Sequence, residues 1–376
     1  MIEFDFIIDD RFREALTKDY SEFQSSLAGQ AWKASLVLVG SIVEALLVDH
    51  LLATKHQSKT GIDPLKMSLA DLISACEKDG AISPNTASLS TVIREYRNLI
   101  HPGRTVRLGQ TANKSAAIVA GELLQLIVDE ISVKKRAQFG YTAEQIVKKL
   151  ERDESAISIH THLLKEMSEH EIERLLLKTI PKRYFDLDSI VDFGPGTDFE
   201  GQARLATCFR SAFALAPEET KKRVTLNFLS ILKEEDQYKV FAYETAFFRA
   251  HDLKYLSAPQ GKLVKAHLLS RIQKDISTEL VVAIGGLPAY LEAGEISDLV
   301  DALLKACLPK SPSPLKASAR KYLSTLWLEL PSGNDGIDHK VLDRLDDWIR
   351  HFEDRGNLES AATVREIKDE LSDIPF

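Results

Sequence analysis

The segment VLVGSIVEALLVDHLL, residues Val37–Leu52, decides the fold class of this chain. It contains no proline, and its apolar residues continue over more than four helical turns, so it predicts a long apolar helix over Gln30–Thr54. The longest apolar stretch, Ala34–Val48, is interrupted by Glu44 and is too short to cross a bilayer. The segment therefore predicts a helix that is buried inside a protein core.

The rest of the chain repeats the helical period. Apolar residues recur three and four positions apart in segments such as Ile296–Cys307 and Leu342–Phe352. No run of alternating β-branched and polar residues is closed by an Asn-Gly or Asp-Gly turn, so strand signals are scarce. The fold class predicted from the sequence is all-α.

Helix stop signals divide the 376 residues into three parts. Residues 1–140 are predicted to form a helical bundle, residues 141–200 a helical connector and linker, and residues 201–376 an α-helical, repeat-like interaction domain. In the last part, helix pairs at intervals of roughly 40 residues resemble a HEAT-like solenoid of helical hairpins. The bundle is predicted to contain helices over Asp10–Ala28, Gln30–Thr54, Ser68–Glu77, Ala87–Ile100 and Asn113–Ala137.

Two segments after the bundle carry local signals of their own. Thr142 with Gln145 three residues later predicts a capping box at the start of a short helix. Pro181–Gly201, which contains FGPGTDFEG, predicts a linker or long loop, because its glycines and prolines are typical of turns.

The composition limits the class of protein. The net charge is −8, which excludes a uniformly basic nucleic-acid coat. The acidic amino terminus lacks the basic and apolar regions of a signal peptide, so no membrane association is predicted. Cys76, Cys208 and Cys307 lie far apart without a CxxC pair, which favours a reducing cytoplasm.

The most informative motif is RxxRNxxHPGR at Arg94–Arg104, in a window that carries a surplus of positive charge within an acidic chain. On a helix, Arg94, Arg97 and His101 share one face. Guanidinium groups bind phosphate oxygens in a forked geometry, and an imidazole exchanges protons near neutral pH. This set of residues suits a phosphodiester. With RNA the neighbouring 2′-hydroxyl can attack, so the reaction requires no metal and no cofactor.

The same motif and the helix at Val37–Leu52 resemble the HEPN superfamily, whose helical domains occur in RNA-cleaving toxins, antiphage proteins and non-catalytic modules. Catalytic members carry an arginine, four to six residues and a histidine, often with a polar residue after the arginine. Here six residues separate Arg94 from His101. Arg97-Asn98 supplies the Arg-polar pair, but only three residues then precede His101.

The resemblance implies a metal-independent endoribonuclease that works as a homodimer, in the manner of a regulated toxin or defence effector. His101 would act as general acid and base, Arg94 and Arg97 would bind the phosphate, and Asn98 would orient them. The substrate would be RNA, with tRNA among the candidates, and the products would carry 2′,3′-cyclic phosphate and 5′-hydroxyl ends. The C-terminal helical domain would recognise a protein partner or trigger.

Several alternatives stay open at the level of sequence. The HEPN-like domain could instead be a non-catalytic dimerisation scaffold that binds a protein. Arg104, Arg107 and Lys114 either follow an RNA backbone or form a solvated basic loop. Glu44 either orients an active-site arginine or forms a structural ion pair with Arg94 or Arg97, since a buried carboxylate needs a partner. His50 is interpreted as a packed or capping residue.

Overall fold

A computed structural model describes residues 2–97, 112–189, 199–234, 236–329 and 335–372. The protein is all-α, as predicted, and no β-strand occurs in these ranges. The chain forms two compact units, residues 1–175 and 176–376. The α-helices of the first unit are α1 Asp10–Ala28, α2 Trp32–Ala53, α3 His56–Thr60, α4 Leu69–Lys78, α5 Pro84–Arg97, α6 Lys114–Phe139, α7 Ala143–Arg152, α8 His160–Lys165 and α9 Glu169–Arg174.

The second unit continues the same architecture with helices of uneven length. Its α-helices are α10 Ile180–Ser189, α11 Phe199–Leu215, α12 Glu218–Ile231, α13 Gln237–Ala242, α14 Ala258–Lys274, α15 Thr278–Ala283, α16 Ala293–Cys307, α17 Ser313–Thr325, α18 Asp335–Asp354 and α19 Leu358–Ser372. Two π-helical turns, Leu175–Thr179 and Tyr243–Phe247, interrupt the α-helical geometry. Consecutive helices pack in pairs, including α10 with α11, α16 with α17 and α18 with α19. The HEAT-like arrangement of these pairs stays a prediction.

Helix α2 forms the centre of the first unit. It packs against α1, α4, α5 and α6, and its residues Ile42, Leu46 and Leu51 have no exposed surface. The helix is 22 residues long and extends beyond the apolar stretch Ala34–Val48 at both ends. By length and composition it is the one helix in the described part of the chain that could span a bilayer, and 61% of its most apolar window is buried.

The other predicted helices of the bundle are found close to their predicted bounds. Helix α1 begins after Asp9, whose side chain accepts a hydrogen bond from the backbone N–H of Arg11, and it ends before Gly29. Helix α2 begins two residues later than predicted, because Gln30 adopts a left-handed backbone conformation with φ of 59°. The Thr142–Gln145 capping box at α7 is confirmed.

The division between the units differs from the domain boundary predicted near residue 140. Helices α7 and α9 are fastened to the extended amino-terminal segment that precedes α1. The Thr142 hydroxyl donates to the Asp5 carbonyl at 2.5 Å, and the Arg174 guanidinium donates to the Ile8 carbonyl at 3.1 Å. Lys148 pairs with the Glu3 carboxylate at 2.5 Å. Since the chain returns to its own amino terminus here, the first unit extends to residue 175.

The predicted linker Pro181–Gly201 is helical at both ends. Residues 180–189 belong to α10 and residues 199–201 to α11, while 190–198 lie outside the described residues. Pro181 is tolerated because it is the second residue of α10, which begins after the π-helical turn Leu175–Thr179, where the register of backbone hydrogen bonds changes. The aromatic residues Tyr243, Phe247 and Phe248 are buried in the core of the second unit.

Candidate functional site

Helix α5 carries the first residue of the candidate motif, and its amino-terminal end is held by a carboxylate from α6. Glu130 accepts hydrogen bonds from the Ser83 backbone N–H at 2.7 Å, from the Ser83 hydroxyl at 2.9 Å and from the Thr86 hydroxyl at 2.8 Å. A carboxylate at a helix amino terminus satisfies free N–H groups and interacts favourably with the helix dipole. This contact, the Glu130 clamp, fixes where α5 starts.

The middle of α5 is anchored in the core of the first unit. Ile93 is 1% exposed, and the Ser90 hydroxyl, also buried, donates to the Thr86 carbonyl at 2.7 Å. Arg94 follows Ile93 directly and is half-buried, whereas Glu95 is exposed. Arg94 therefore lies at the boundary between core and solvent, on a helix that is fixed at two points.

Arg94 has no ion pair or hydrogen bond with any residue in the described ranges. This is unusual for an arginine whose side chain is partly enclosed, because a guanidinium carries five donors. The arrangement leaves a positive charge with a fork of N–H groups that the described part of the first unit does not use. Such a group can accept a phosphate in bidentate geometry.

The described part of α5 ends at Arg97, three residues after Arg94 on the same helix. Positions three apart on a helix are neighbours, so the backbone places these two residues on one face. The Arg97 side chain, Asn98, His101, Arg104 and Arg107 lie outside the described residues. Their assigned roles, and the shared face of His101 with the two arginines, stay predictions.

Two further site residues lie within the described chain. Lys114 is exposed at the first position of α6, next to the helix cap Asn113, whose side chain accepts from the Ala116 N–H at 2.9 Å. Glu44 is half-buried in α2, so it is less enclosed than the apolar pattern around it predicts. The structural pairing of Glu44 with Arg94 is not formed, and its alternative partner Arg97 has no described side chain.

Helix α2 also carries a buried polar pair that the sequence analysis missed. Asp49 and Lys135 are 5% and 2% exposed, and the two side chains form an ion pair that joins α2 to α6. The signal was present, because Asp49 is a charge in the same apolar helix as Glu44. Its partner lies 86 positions away, which no local pattern can reveal.

His50 follows Asp49 and is fully buried, as predicted for a packed histidine. Its Nε2 lies 2.8 Å from the Asp79 carboxylate, which joins α2 to the end of α4, and its Nδ1 has no hydrogen-bond partner among the described residues. Burial lowers the pKa of His50 despite the neighbouring Asp79 carboxylate, which acts in the opposite direction. Burial also raises the pKa of the nearby Cys76 thiol to about 12, so Cys76 is a structural residue rather than a nucleophile.

In the part of the chain that the structure describes, no group of three or more His, Cys, Asp or Glu side chains is placed to hold a metal ion. The arrangement that can do chemistry is the Arg94 end of α5 together with the segment that follows it in sequence. No family model, no curated protein and no solved structure matches this chain.

Proposed function

We propose that this protein is a metal-independent endoribonuclease of the HEPN type that works as a homodimer. The observation that carries the proposal is the half-buried Arg94 guanidinium, which no described carboxylate neutralises, on a helix held by the Glu130 clamp and by Ile93. The sequence RNxxHPGR follows within three residues. A fixed arginine that no described carboxylate neutralises can offset charge on a phosphate, and the histidine that follows it in sequence can exchange the proton that cleavage of RNA requires.

The proposed chemistry uses a nucleophile that the substrate itself supplies. His101 takes the proton from a ribose 2′-hydroxyl, whose oxygen then forms a bond to the adjacent phosphorus. The bond from phosphorus to the 5′-oxygen breaks, and that oxygen receives a proton from His101, which returns to its neutral form. Arg94 and Arg97 offset the negative charge that develops on the phosphate oxygens, and Asn98 orients them. The products carry a 2′,3′-cyclic phosphate and a 5′-hydroxyl.

The second unit is assigned to recognition in this proposal. We assign to its helix pairs the binding of a protein partner or a trigger, a division of roles typical of a regulated toxin or antiphage effector. A cytoplasmic location fits the three free cysteines, all of which are buried.

One observation favours a second candidate, a non-catalytic scaffold that dimerises through its first unit and binds a protein. Only three residues separate Arg97 from His101, and the acidic Glu95 follows Arg94 where a polar neutral residue is usual in the catalytic pattern. The scaffold predicts that no RNA is cleaved under any condition and that a protein partner co-purifies with the chain.

The two candidates are separated by incubating the purified protein with total RNA and with tRNA in excess EDTA. Removing an electrostatic group of this kind costs about 100-fold or more in rate, so Arg94→Ala and His101→Ala should each abolish detectable cleavage. Arg136→Ala, an exposed arginine of the same unit, is the matched control and should cleave like the wild type. Cleavage that survives His101→Ala in a folded protein would refute the proposed mechanism.

A further inference from the structure

An open groove lies at the start of α2, where α1 and α2 meet. It is open to solvent, with a volume of about 860 Å³. The described residues that line it include Trp32, Val37 and Leu38 on α2, Ser26 on α1, and Ala112. Ala112 is the first described residue after the segment 98–111.

Trp32 is the feature of this groove that points to a ligand. It is half-buried, and within the described ranges its ring makes no contact with another aromatic side chain and its indole N–H has no hydrogen-bond partner. A tryptophan of the core normally has both its faces packed and its N–H bonded. Here the ring borders open space beside the half-buried Val37 and Leu38.

The charges at the rim favour a polyanion. Lys33 lines the groove and is exposed, and Lys114 is exposed two residues after Ala112; neither forms an ion pair with a described residue. Glu22 is the one acidic residue among the described lining residues. Its carboxylate and the Ser26 hydroxyl can accept hydrogen bonds.

We infer that this groove, the Trp32 groove, binds one unpaired base of a single-stranded RNA and its phosphate. The base stacks on Trp32 between the apolar side chains, and Lys33 contacts the phosphate. Stacking on aromatic rings with lysine at the backbone is how proteins hold single-stranded RNA. This inference rests on the proposed function and names a substrate subsite for it.

The test uses the full-length protein and a short single-stranded RNA with 2′-O-methyl groups throughout, which removes the attacking hydroxyl and separates binding from cleavage. Trp32→Ala should weaken binding roughly 5- to 100-fold, the range measured for loss of one stacked base. Trp32→Phe, which keeps an aromatic face, should retain most of the affinity. Leu65→Ala, an exposed apolar residue of the same unit outside the groove, is the matched control.

The salt dependence tests the phosphate contact independently. Lys33→Gln should lower the slope of log affinity against log salt by about 1, whereas Lys222→Gln, an exposed lysine of the second unit, should leave the slope unchanged. Thermal unfolding of each variant verifies that the fold is kept.

The remaining outcomes overturn the inference in distinguishable ways. If the wild type binds the RNA and Trp32→Ala binds equally well, the groove is wrong and the proposed function stands. If light scattering shows that Trp32→Ala turns a dimer into a monomer, the groove is instead an interface between two copies. If the wild type binds no single-stranded RNA at micromolar concentrations, both the groove and the proposed function fail.

Discussion

At the scale of single residues, two polar pairs join α2 to its neighbours in the first unit. Asp49 with Lys135 and His50 with Asp79 connect α2 to α6 and to the end of α4. Buried charges are expensive unless paired, so these contacts fix the positions of the helices more than they add stability. Both pairs lie on helices that pack against α5, which carries Arg94.

Removal of one partner of the buried ion pair should be strongly destabilising. Lys135→Met leaves Asp49 as an unpaired buried carboxylate, and we expect a loss of about 3–5 kcal/mol in the free energy of unfolding. Lys134→Met, at the neighbouring half-exposed position, should change it by less than about 0.5 kcal/mol. Urea denaturation measures both. If Asp49→Leu combined with Lys135→Met is as unstable as Lys135→Met alone, the unpaired charge is not the cause.

His50 should make stability depend on pH. Burial lowers its pKa in the folded state below the unfolded value of about 6.5. Above pH 6.5 the imidazole is neutral in both states, so its contribution to stability is constant. Below that pH the unfolded chain binds a proton that the folded chain does not bind, so stability falls until the folded pKa is reached.

The measurement compares urea denaturation of the wild type and His50→Gln at pH 7.5, 6.5 and 5.5. The wild type should lose up to about 1.4 kcal/mol per pH unit more than the variant below pH 6.5. Parallel pH profiles for the two proteins would show that His50 does not titrate in the way its burial implies.

At the scale of elements, the Glu130 clamp is the contact that determines how α5 presents Arg94. Glu130→Ala leaves the Ser83 N–H and two hydroxyls without their acceptor, which should cost about 1–3 kcal/mol of stability. Because the start of α5 is then loosened, RNA cleavage in EDTA should fall as well, by more than the change in folded fraction explains. Asp129→Ala, one residue earlier and exposed, should leave both properties unchanged.

The helices of the first unit could be predicted because local chemistry decides them. Asp9 and Gly29 limit α1 at both ends, and Thr142 with Gln145 starts α7. Helix bounds are harder to predict where an irregular turn decides them. The π-helical turn before Pro181 has no signature in the sequence, and a proline normally ends a helix, so the sequence predicts a linker at a position where a helix begins.

At the scale of the whole molecule, the fold class follows from the sequence and the division into units does not. An apolar period of 3.6 residues runs through most of the chain, and that period alone predicts an all-α protein. The boundary near residue 140 was drawn from a glycine after a helix. The contacts that shift it, from Thr142 and Arg174 to the amino-terminal segment, join residues 137 and 166 positions apart.

This division makes a prediction about fragments. Residues 1–175 should unfold cooperatively as an isolated fragment, because their core and their polar contacts are internal to that range. A fragment of residues 1–140 lacks α7, whose buried residues include Ile146 and Leu150. The apolar surface that α7 covers is then exposed, so this fragment should melt at a lower temperature or aggregate. Calorimetry of the two fragments measures the difference. Equal melting temperatures would place the boundary near residue 140 after all.

The residues of the candidate site can be predicted from the sequence, but most of their structural surroundings cannot. The sequence locates Arg94 and His101, and the structure adds the anchoring of α5, the half-buried position of Arg94 and the groove beside Ala112. None of these three features has a local signal, because each depends on helices that are distant in sequence.

We propose that the Arg94–His101 motif cleaves RNA by attack of the 2′-hydroxyl. Mass spectrometry of the fragments formed from one defined RNA in EDTA, with the wild type and His101→Ala in parallel, tests this mechanism. We expect fragments with 2′,3′-cyclic phosphate and 5′-hydroxyl ends from the wild type and intact RNA from the variant. Fragments with 3′-hydroxyl and 5′-phosphate ends, or equal cleavage by both proteins, would contradict it.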